Sequence, residues 1–524
     1  MHRYGQCRIR AEASPPETSP NMINPDAETM SREPGDEQPS RIVARNSTIM
    51  LTRQLANWLI ATALVLLVPR YLGDVGLGQL QFGQSFASLI SIGVGLGMGS
   101  MLTREIARKR EDAQALFHTA FTVRLVSVAV AIVVVIVAVW LSGIRGEAAT
   151  VVYAATASML VLSTGRMGVS ILYGKEDMTR VAIADTVSRV IAAILGVIVL
   201  LNGQGAFAYA ITILIGSVIH AAIIFVSANR EMPIRPGFSS YQARRLLTGA
   251  MPFAITGGIL TLYNQADTMM IRTFAGEAVL GWHSAAMRLI GATEIVPAAI
   301  ATALVPTLSR TFVSDRAGSE SLAKGTVAIS TALLVPVAFV LAANAERIMD
   351  ILPIPDVFSN SAPVLVVLAI SIPVTASLTI TGAIATGSNR QKIFMVTMAI
   401  GLSLNVVLNA VLIPYYQDNM GNGGTGAAIA TLASEIVILF MMFRVLAREA
   451  FGRTGLLSLA TVGASAAAMS LVAWAGAEAS IHWVLWNSAA LAVYGLMIVG
   501  LRVVTLSDVR SVRESVRRRS GSKS

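Results

Sequence analysis

Arg70-Tyr-Leu-Gly-Asp-Val-Gly-Leu-Gly78 returns about two hundred residues later as Arg272-Thr-Phe-Ala-Gly-Glu-Ala-Val-Leu-Gly281. The echo continues along the chain. Leu102-Thr-Arg-Glu-Ile-Ala-Arg108 answers to Leu304-Val-Pro-Thr-Leu-Ser-Arg310, an offset of 202. Gly174 answers to Gly387, and Gly205-Ala206 to Gly426-Ala427. A chain that repeats on this scale reads as two copies of one bundle. Between the repeated landmarks lie apolar runs of about 20 residues, the length that crosses a hydrocarbon core.

Composition agrees. Of 524 residues, 54% are apolar and 13% charged, and the mean hydropathy is +0.66. Soluble domains carry about 25% charged residues. Most soluble enzyme folds are thereby excluded, and an all-α polytopic membrane protein is expected. Fourteen spans are expected, near 48–68, 77–101, 117–141, 149–173, 181–201, 206–228, 248–271, 280–306, 325–343, 361–386, 393–413, 425–443, 456–475 and 482–501. Six spans per repeat is an even number, so the two bundles share one orientation. The expected organisation is a disordered cytoplasmic tail (1–45), a six-helix bundle (46–228), a basic cytoplasmic linker (229–247), a second six-helix bundle (248–447), two added helices (448–503) and a basic cytoplasmic tail (504–524).

The net charge of +10 could signal nucleic acid in a soluble protein. Here the cations sit between apolar runs, which points to topology and to contact with anionic phospholipid instead. With the N-terminus inside, the cytoplasmic loops hold 18 Lys and Arg and the outer loops hold 4. That asymmetry places both termini in the cytoplasm, in a plasma (cytoplasmic) membrane. The one cysteine, Cys7, lies in the polar tail. No disulfide framework or cysteine metal site is possible, and His118, His220 and His283 are isolated. No Gly-x-x-x-x-Gly-Lys-Ser/Thr occurs, so no ATP-driven step is expected. Two parallel bundles about an axis along the membrane normal are a transporter layout, with the site between the halves and alternating access as the motion.

Arg70-Tyr-Leu-Gly73 with Gly76 and Gly78, followed by Leu102-Thr-Arg-Glu-Ile-Ala-Arg108, resembles the polysaccharide transporter family. This is the O-antigen flippase-type branch of the multidrug/oligosaccharidyl-lipid/polysaccharide exporter superfamily. Asn264-Gln-Ala-Asp267 with Gly281 and Ala285-Ala286 is similar to that family's seventh and eighth helices. Ile413-Pro-Tyr-Tyr416 and Gly426-Ala-Ala-Ile-Ala-Thr431 look like its eleventh-to-twelfth helix passage. The resemblance implies a monomeric flippase that turns undecaprenyl-diphosphate-linked oligosaccharide to the outer leaflet through a central cavity. A polymerase or export machinery would be its partner. Gln417–Gly424 interrupts the family's usual Pro-Tyr-Tyr-Gly passage and reads as a lengthened outer loop.

Five arginines fall inside spans: Arg53, Arg124, Arg166, Arg189 and Arg288. A charge at mid-bilayer costs at least about 2.5–3.5 kcal/mol, so each needs a partner or a wet cavity. Guanidinium binds phosphate oxygens bidentately and keeps its proton. Arg53, Arg124, Arg166 and Arg288 are therefore the expected lining of a lipid-diphosphate site. Arg53 lies near its span's end and also fits snorkelling to the headgroups. Arg189 has Asp185 one turn before it, which reads as a structural ion pair. The acids Asp267, Glu294 and Glu435 lie in later spans. The superfamily couples export to inward Na⁺ or H⁺, so the resemblance makes these three the candidate coupling sites. Structural hydrogen bonding is the alternative for each.

The Gly93, Gly95, Gly97, Gly99 run suits close helix packing or a bend. Pro297, Pro336 and Pro373 should kink their spans. Two further functions fit less well. A cation-coupled multidrug exporter would favour acids over arginines and twelve spans over fourteen. A polytopic glycosyltransferase or ligase would need a large outer loop or a metal-binding carboxylate cluster.

Overall fold

In hydrocarbon every backbone N–H and C=O must be satisfied within the chain, so apolar spans become helices. The computed structural model describes residues 39–95, 97–108, 112–351, 356–446, 452–479 and 482–501. Among them no strand occurs. Residues Ile49–Ser524 form one compact unit, separate from Met1–Thr48.

Among the described residues sixteen α-helices follow in order. The first half holds α1 (Pro39–Gly95), α2 (Met98–Ala107), α3 (Ala113–Leu141), α4 (Glu147–Gly174), α5 (Met178–Leu201) and α6 (Ala206–Glu231). The second holds α7 (Ser240–Ala275), α8 (Glu277–Gly291), α9 (Ile295–Ser314), α10 (Arg316–Ala343), the short α11 (Ala345–Ile351), α12 (Ser361–Gly387), α13 (Gln391–Met420) and α14 (Gly423–Val445). The added pair is α15 (Gly452–Glu478) and α16 (Trp483–Gly500).

Ten of these helices are long and apolar enough to cross a membrane, and three bent pairs raise the number to thirteen among the described residues. The expected first span, 48–68, falls mostly on residues whose side chains lie outside the described set. α1 is in fact two helices meeting at Gly73, where φ is 66° and only glycine is unstrained.

The repeat expected from sequence recurs in the packing. α4 lies on α6, α5 on α6 and α2 on α4; in the second half α12 lies on α14, α13 on α14 and α9 on α12. Each half also carries a broken helix. Leu67–Gly95 and Met98–Ala107 meet at 47°, and Glu277–Gly291 and Ile295–Arg310 meet at 50°. The first break falls inside the glycine run, with Gly97 at φ 65°. The second falls at residues 292–294, just before Pro297. Pro336 and Pro373 sit inside helices that continue through them. A third bend, 48°, separates Ser240–Met251 from Phe253–Ala275. The residue between them, Pro252, supplies no N–H to the helix ladder.

α15 and α16 dock on α10. Trp486, Tyr494, Met469 and Ala332 share one apolar cluster, and Tyr494 Oη donates to the Ala332 carbonyl at 2.8 Å. The side chains of Asn344 and Asn487 bond reciprocally at 3.1 and 2.9 Å, which satisfies two buried amides.

Two expected loops are shorter than the sequence suggests. The linker 229–247 gives its last eight residues to α7. Its middle is pinned to α3, where Thr122 Oγ1 donates to the Gly237 carbonyl (2.9 Å) and accepts from the Gly237 amide (3.0 Å). Arg245 of α7 bonds both Asp112 and Glu105. The Gln242 hydrogen bond, aided by the Arg245 charge, holds the Asp112 carboxyl below the ordinary carboxylate range against the opposing effect of burial. The expected outer loop at 417–424 is mainly helix. α13 runs to Met420, Gly421 turns the chain at φ 67°, and α14 starts at Gly423.

Candidate translocation site

Three charged groups stand within the spans. The first lies where the first broken helix opens. A break frees carbonyls that the next turn would have satisfied. Arg124 of α3 answers one of them, donating Nη2 to the Gly95 carbonyl at 3.3 Å and Nη1 to Ser163 Oγ of α4 at 2.6 Å. It is only 4% exposed, and its Nε has no partner. Arg166, one turn past Ser163, is exposed, and its charge repels that of Arg124. The sequence-expected pair Arg124 and Arg166 is thus brought together, with Arg124 tied to the break and Arg166 open.

The second group is Arg288 of α8, four residues before the second break. It lies near Tyr209 of α6 in the other half, which shares an apolar cluster with Ala285 of α8. Among the described residues it has no hydrogen-bond or ion-pair partner, and its Nε is buried without one. Arg53 lies on α1, but its side chain is outside the described residues. Asp185 meets His220 Nε2 of α6 at 2.9 Å, while Arg189 is exposed on α5. The i, i+4 spacing had pointed to Arg189 and could not reveal a partner on the neighbouring helix.

The third group is acidic and lies entirely in the second half. α7, α8, α12, α13 and α14 enclose a 300 Å³ cavity lined by Asp267, Glu294 and Glu435, among others. The three acids named from sequence therefore share one chamber. Asp267 accepts from Asn409 Nδ2 at 2.6 Å and from Thr431 Oγ1 at 2.5 Å. Asn409 also donates to Asn405 Oδ1 at 3.0 Å, and its own Oδ1 is a buried acceptor without a donor. Glu435, 5% exposed, accepts from Thr375 Oγ1 at 2.8 and 3.0 Å. Glu294 sits at the break, immediately before α9. The positive end of α9 favours a carboxylate there.

Sequence reading missed Asn405, Asn409, Thr431, Thr375 and Ser163. Single amides and hydroxyls in apolar helices carry no periodic signal. The Asn405–Asn409 spacing, i to i+4 on one helix face, was the available hint.

Comparison with known proteins adds the family and the fold. A family model described as "Polysaccharide biosynthesis protein" matches residues 43–312. A second model, MatE, matches residues 252–411. No curated protein matches in sequence. Among solved structures, "Lipid II flippase MurJ, inward closed conformation" superposes with a TM-score of 0.69 at 13% identity, covering 86% of this chain and 97% of that one. An inward-facing multidrug resistance MATE family transporter of the MOP superfamily gives 0.57 at 15% identity, covering 80% and 99%. An outward-facing one gives 0.51 at 15%, covering 82% and 97%. The fold is that of the MOP-superfamily transporters, with the two halves and the broken helices described above.

Proposed function

We propose a task for this chain from the premise that it belongs to the polysaccharide biosynthesis protein family. It is a multi-pass membrane protein with a transporter fold. We read it as a flippase that turns a polyprenyl-diphosphate-linked oligosaccharide from the inner to the outer leaflet by alternating access.

One observation carries the reading. Arg288 is a guanidinium within a span, near the other half, without a partner among the described residues. An uncompensated intramembrane cation is costly and is retained where a ligand compensates it. A diphosphate supplies that compensation bidentately. Arg166, open beside Arg124, would serve as the earlier contact, and Arg53 joins them as a candidate from sequence. The arginine-rich loops lie in the cytoplasm, against anionic phospholipid, and both termini are cytoplasmic. The protein acts as a monomer that delivers product to a polymerase or export machinery.

A second element of the reading is ion coupling. Asp267, Asn405, Asn409 and Thr431 offer only oxygen as ligand, and one of those oxygens, Asn409 Oδ1, lacks a donor. Such a set suits a hard monovalent cation such as Na⁺. Glu435 and Glu294 share the chamber and would take protons or add to the cation's field.

The test is translocation of a labelled polyprenyl-diphosphate glycan in proteoliposomes, with Na⁺ and pH gradients imposed separately. Translocation that fails for the glycan while a cationic dye is exported would favour the multidrug alternative. Glycan flipping indifferent to both gradients would remove the coupling. Release or transfer of sugar would point to the glycosyltransferase or ligase alternative.

A further inference from the structure

Asp74 and Glu277 occupy the same place in the two repeats, 203 residues apart, as do Gly78 and Gly281, and Gln79 and Trp282. The structure crosses these pairs over. Asp74 Oδ2 accepts from Trp282 Nε1 at 3.1 Å, and Glu277 Oε2 accepts from Gln79 Nε2 at 2.8 Å. Each acid of one half thus holds the residue five places past the matching acid of the other.

The glycines repeat the pattern. A methyl group at Gly78 would collide with the carbonyl of Glu277, and one at Gly281 with the carbonyl of Asp74. A junction in which i meets j while j meets i is the mark of a two-fold interface. Here the two-fold relates the halves of one chain.

One arm is reinforced. Arg272 Nη2 donates to Glu277 Oε1 at 3.1 Å, and its guanidinium lies 4.1 Å from the Phe82 ring of the first half. Beside it runs an apolar cluster drawn from both halves, including Phe82, Phe86, Ile271 and Leu280. Beside that cluster the bonds are part-buried, and a less polar setting strengthens them. The whole junction lies on the face away from the arginine-rich loops, at the Gly73 and Gly276 turns.

We propose that Asp74, Gln79, Glu277 and Trp282 form the outer latch of the transport cycle, two equivalent arms that release together when the halves part. The inference rests on the alternating-access reading for the meaning of "outer" and "cycle". Because the arms are related by the repeat, a parting of the halves that keeps the internal two-fold breaks both bonds at once. A hydrogen bond to a charged group shifts a closed-to-open ratio by about ten- to a hundredfold. Losing either arm should therefore open the door to a similar extent.

The test reads the door without substrate. In a Cys7→Ser background, Ser88→Cys places a thiol 14 residues past Asp74, about 21 Å along the helix. A membrane-impermeant maleimide is added on the side opposite the basic loops. Gln79→Glu sets two carboxylates against each other, and labelling should rise about tenfold or more. Adding Glu277→Gln restores donor and acceptor in reversed order, and labelling should return close to the parent rate. Trp282→Phe removes one N–H from the other arm and should raise labelling about tenfold by itself. Unchanged labelling in Gln79→Glu and Trp282→Phe would overturn the latch, and so would a swap that restores nothing. The flippase reading fails separately. If labelling follows the expected pattern while vesicles move no glycan, the latch stands and the substrate assignment falls.

Discussion

Replacing Arg288 by Met should make the protein more stable and unable to flip its substrate. Met is similar in length and leaves no large cavity. The charge it removes stands 11 residues into α8, about 16 Å from that helix's start. A charged side chain at such depth costs roughly 2.5–3.5 kcal/mol. Arg288 recovers none of this from a described partner, and its partial exposure lowers the cost. A gain of about 1–3 kcal/mol is expected for Arg288→Met.

Arg124→Met provides the contrast. It also removes a buried charge, but it loses the Ser163 bond and strands the Gly95 carbonyl. A charge-assisted bond contributes about 1.5–3 kcal/mol and an unsatisfied buried acceptor costs about 1–3. The two variants should therefore differ in stability by roughly 2 kcal/mol or more, with Arg288→Met the more stable. Equilibrium unfolding in mixed micelles measures the stability, and glycan translocation in proteoliposomes measures the activity. If Arg288→Met unfolds more easily than the parent, Arg288 has a structural partner and the argument from an uncompensated cation is refuted. If it flips at the parental rate, the diphosphate contact is refuted.

Three other outcomes follow from the same geometry. Added Na⁺ should raise the unfolding temperature of the parent, by mass action on a folded-state site, and Asp267→Asn should abolish that shift together with any Na⁺ dependence of flipping. Asp112 is held below the ordinary range first by the Gln242 bond and then by Arg245. Its contribution to stability is thus present above the unfolded-state pKa and lost as pH falls through the depressed folded value, so Asp112→Asn should flatten the acid limb of a stability-against-pH curve measured from pH 6 downward. Gly426→Ala would drive a methyl into the Leu412 carbonyl and should force α13 and α14 apart, whereas Gly463→Ala on α15 meets nothing within 4 Å. Thermal unfolding should show a loss of about 2 kcal/mol or more for the first and no loss, or a gain of up to about 1 kcal/mol, for the second.

How much was legible in the sequence differs by feature. The repeat was, because Gly78 and Gly281 serve one function twice and each is fixed by a backbone contact that only glycine permits. The all-helical membrane fold was, because hydrocarbon allows few alternatives. The breaks were half visible. The Gly93–Gly99 run allowed a bend, and one occurs there, while helices continue through Pro336 and Pro373. A proline signals a lost hydrogen bond, and neighbouring helices decide whether the helix opens. The chamber was visible only through its charges. Asp267 and Glu435 stand out in apolar helices, while Asn409, buried to 0% exposure and bonded to Asp267, does not. The His220 partner of Asp185 was hidden because it comes from a different helix.

The two halves share a latch but not their charges, and this difference bears on coupling. The outer junction is symmetric because neither half can leave without the other. Inside, the first half presents cations, Arg124 and Arg166, and the second half encloses acids. The two kinds of charge meet at one element. Arg288 lies one turn before the α8–α9 break and Glu294 lies at its end, on opposite arms of a 50° bend. Coupling between two ligands requires an element whose equilibrium both of them bias. An anion at Arg288 and a cation near Glu294 would each load one arm of this hinge. Any change in the bend must move the two sites relative to each other. Under the flippase reading, the second broken helix is therefore where ion movement would be exchanged for substrate movement, and the first, whose break Arg124 ties to α4, is the fixed frame against which it turns.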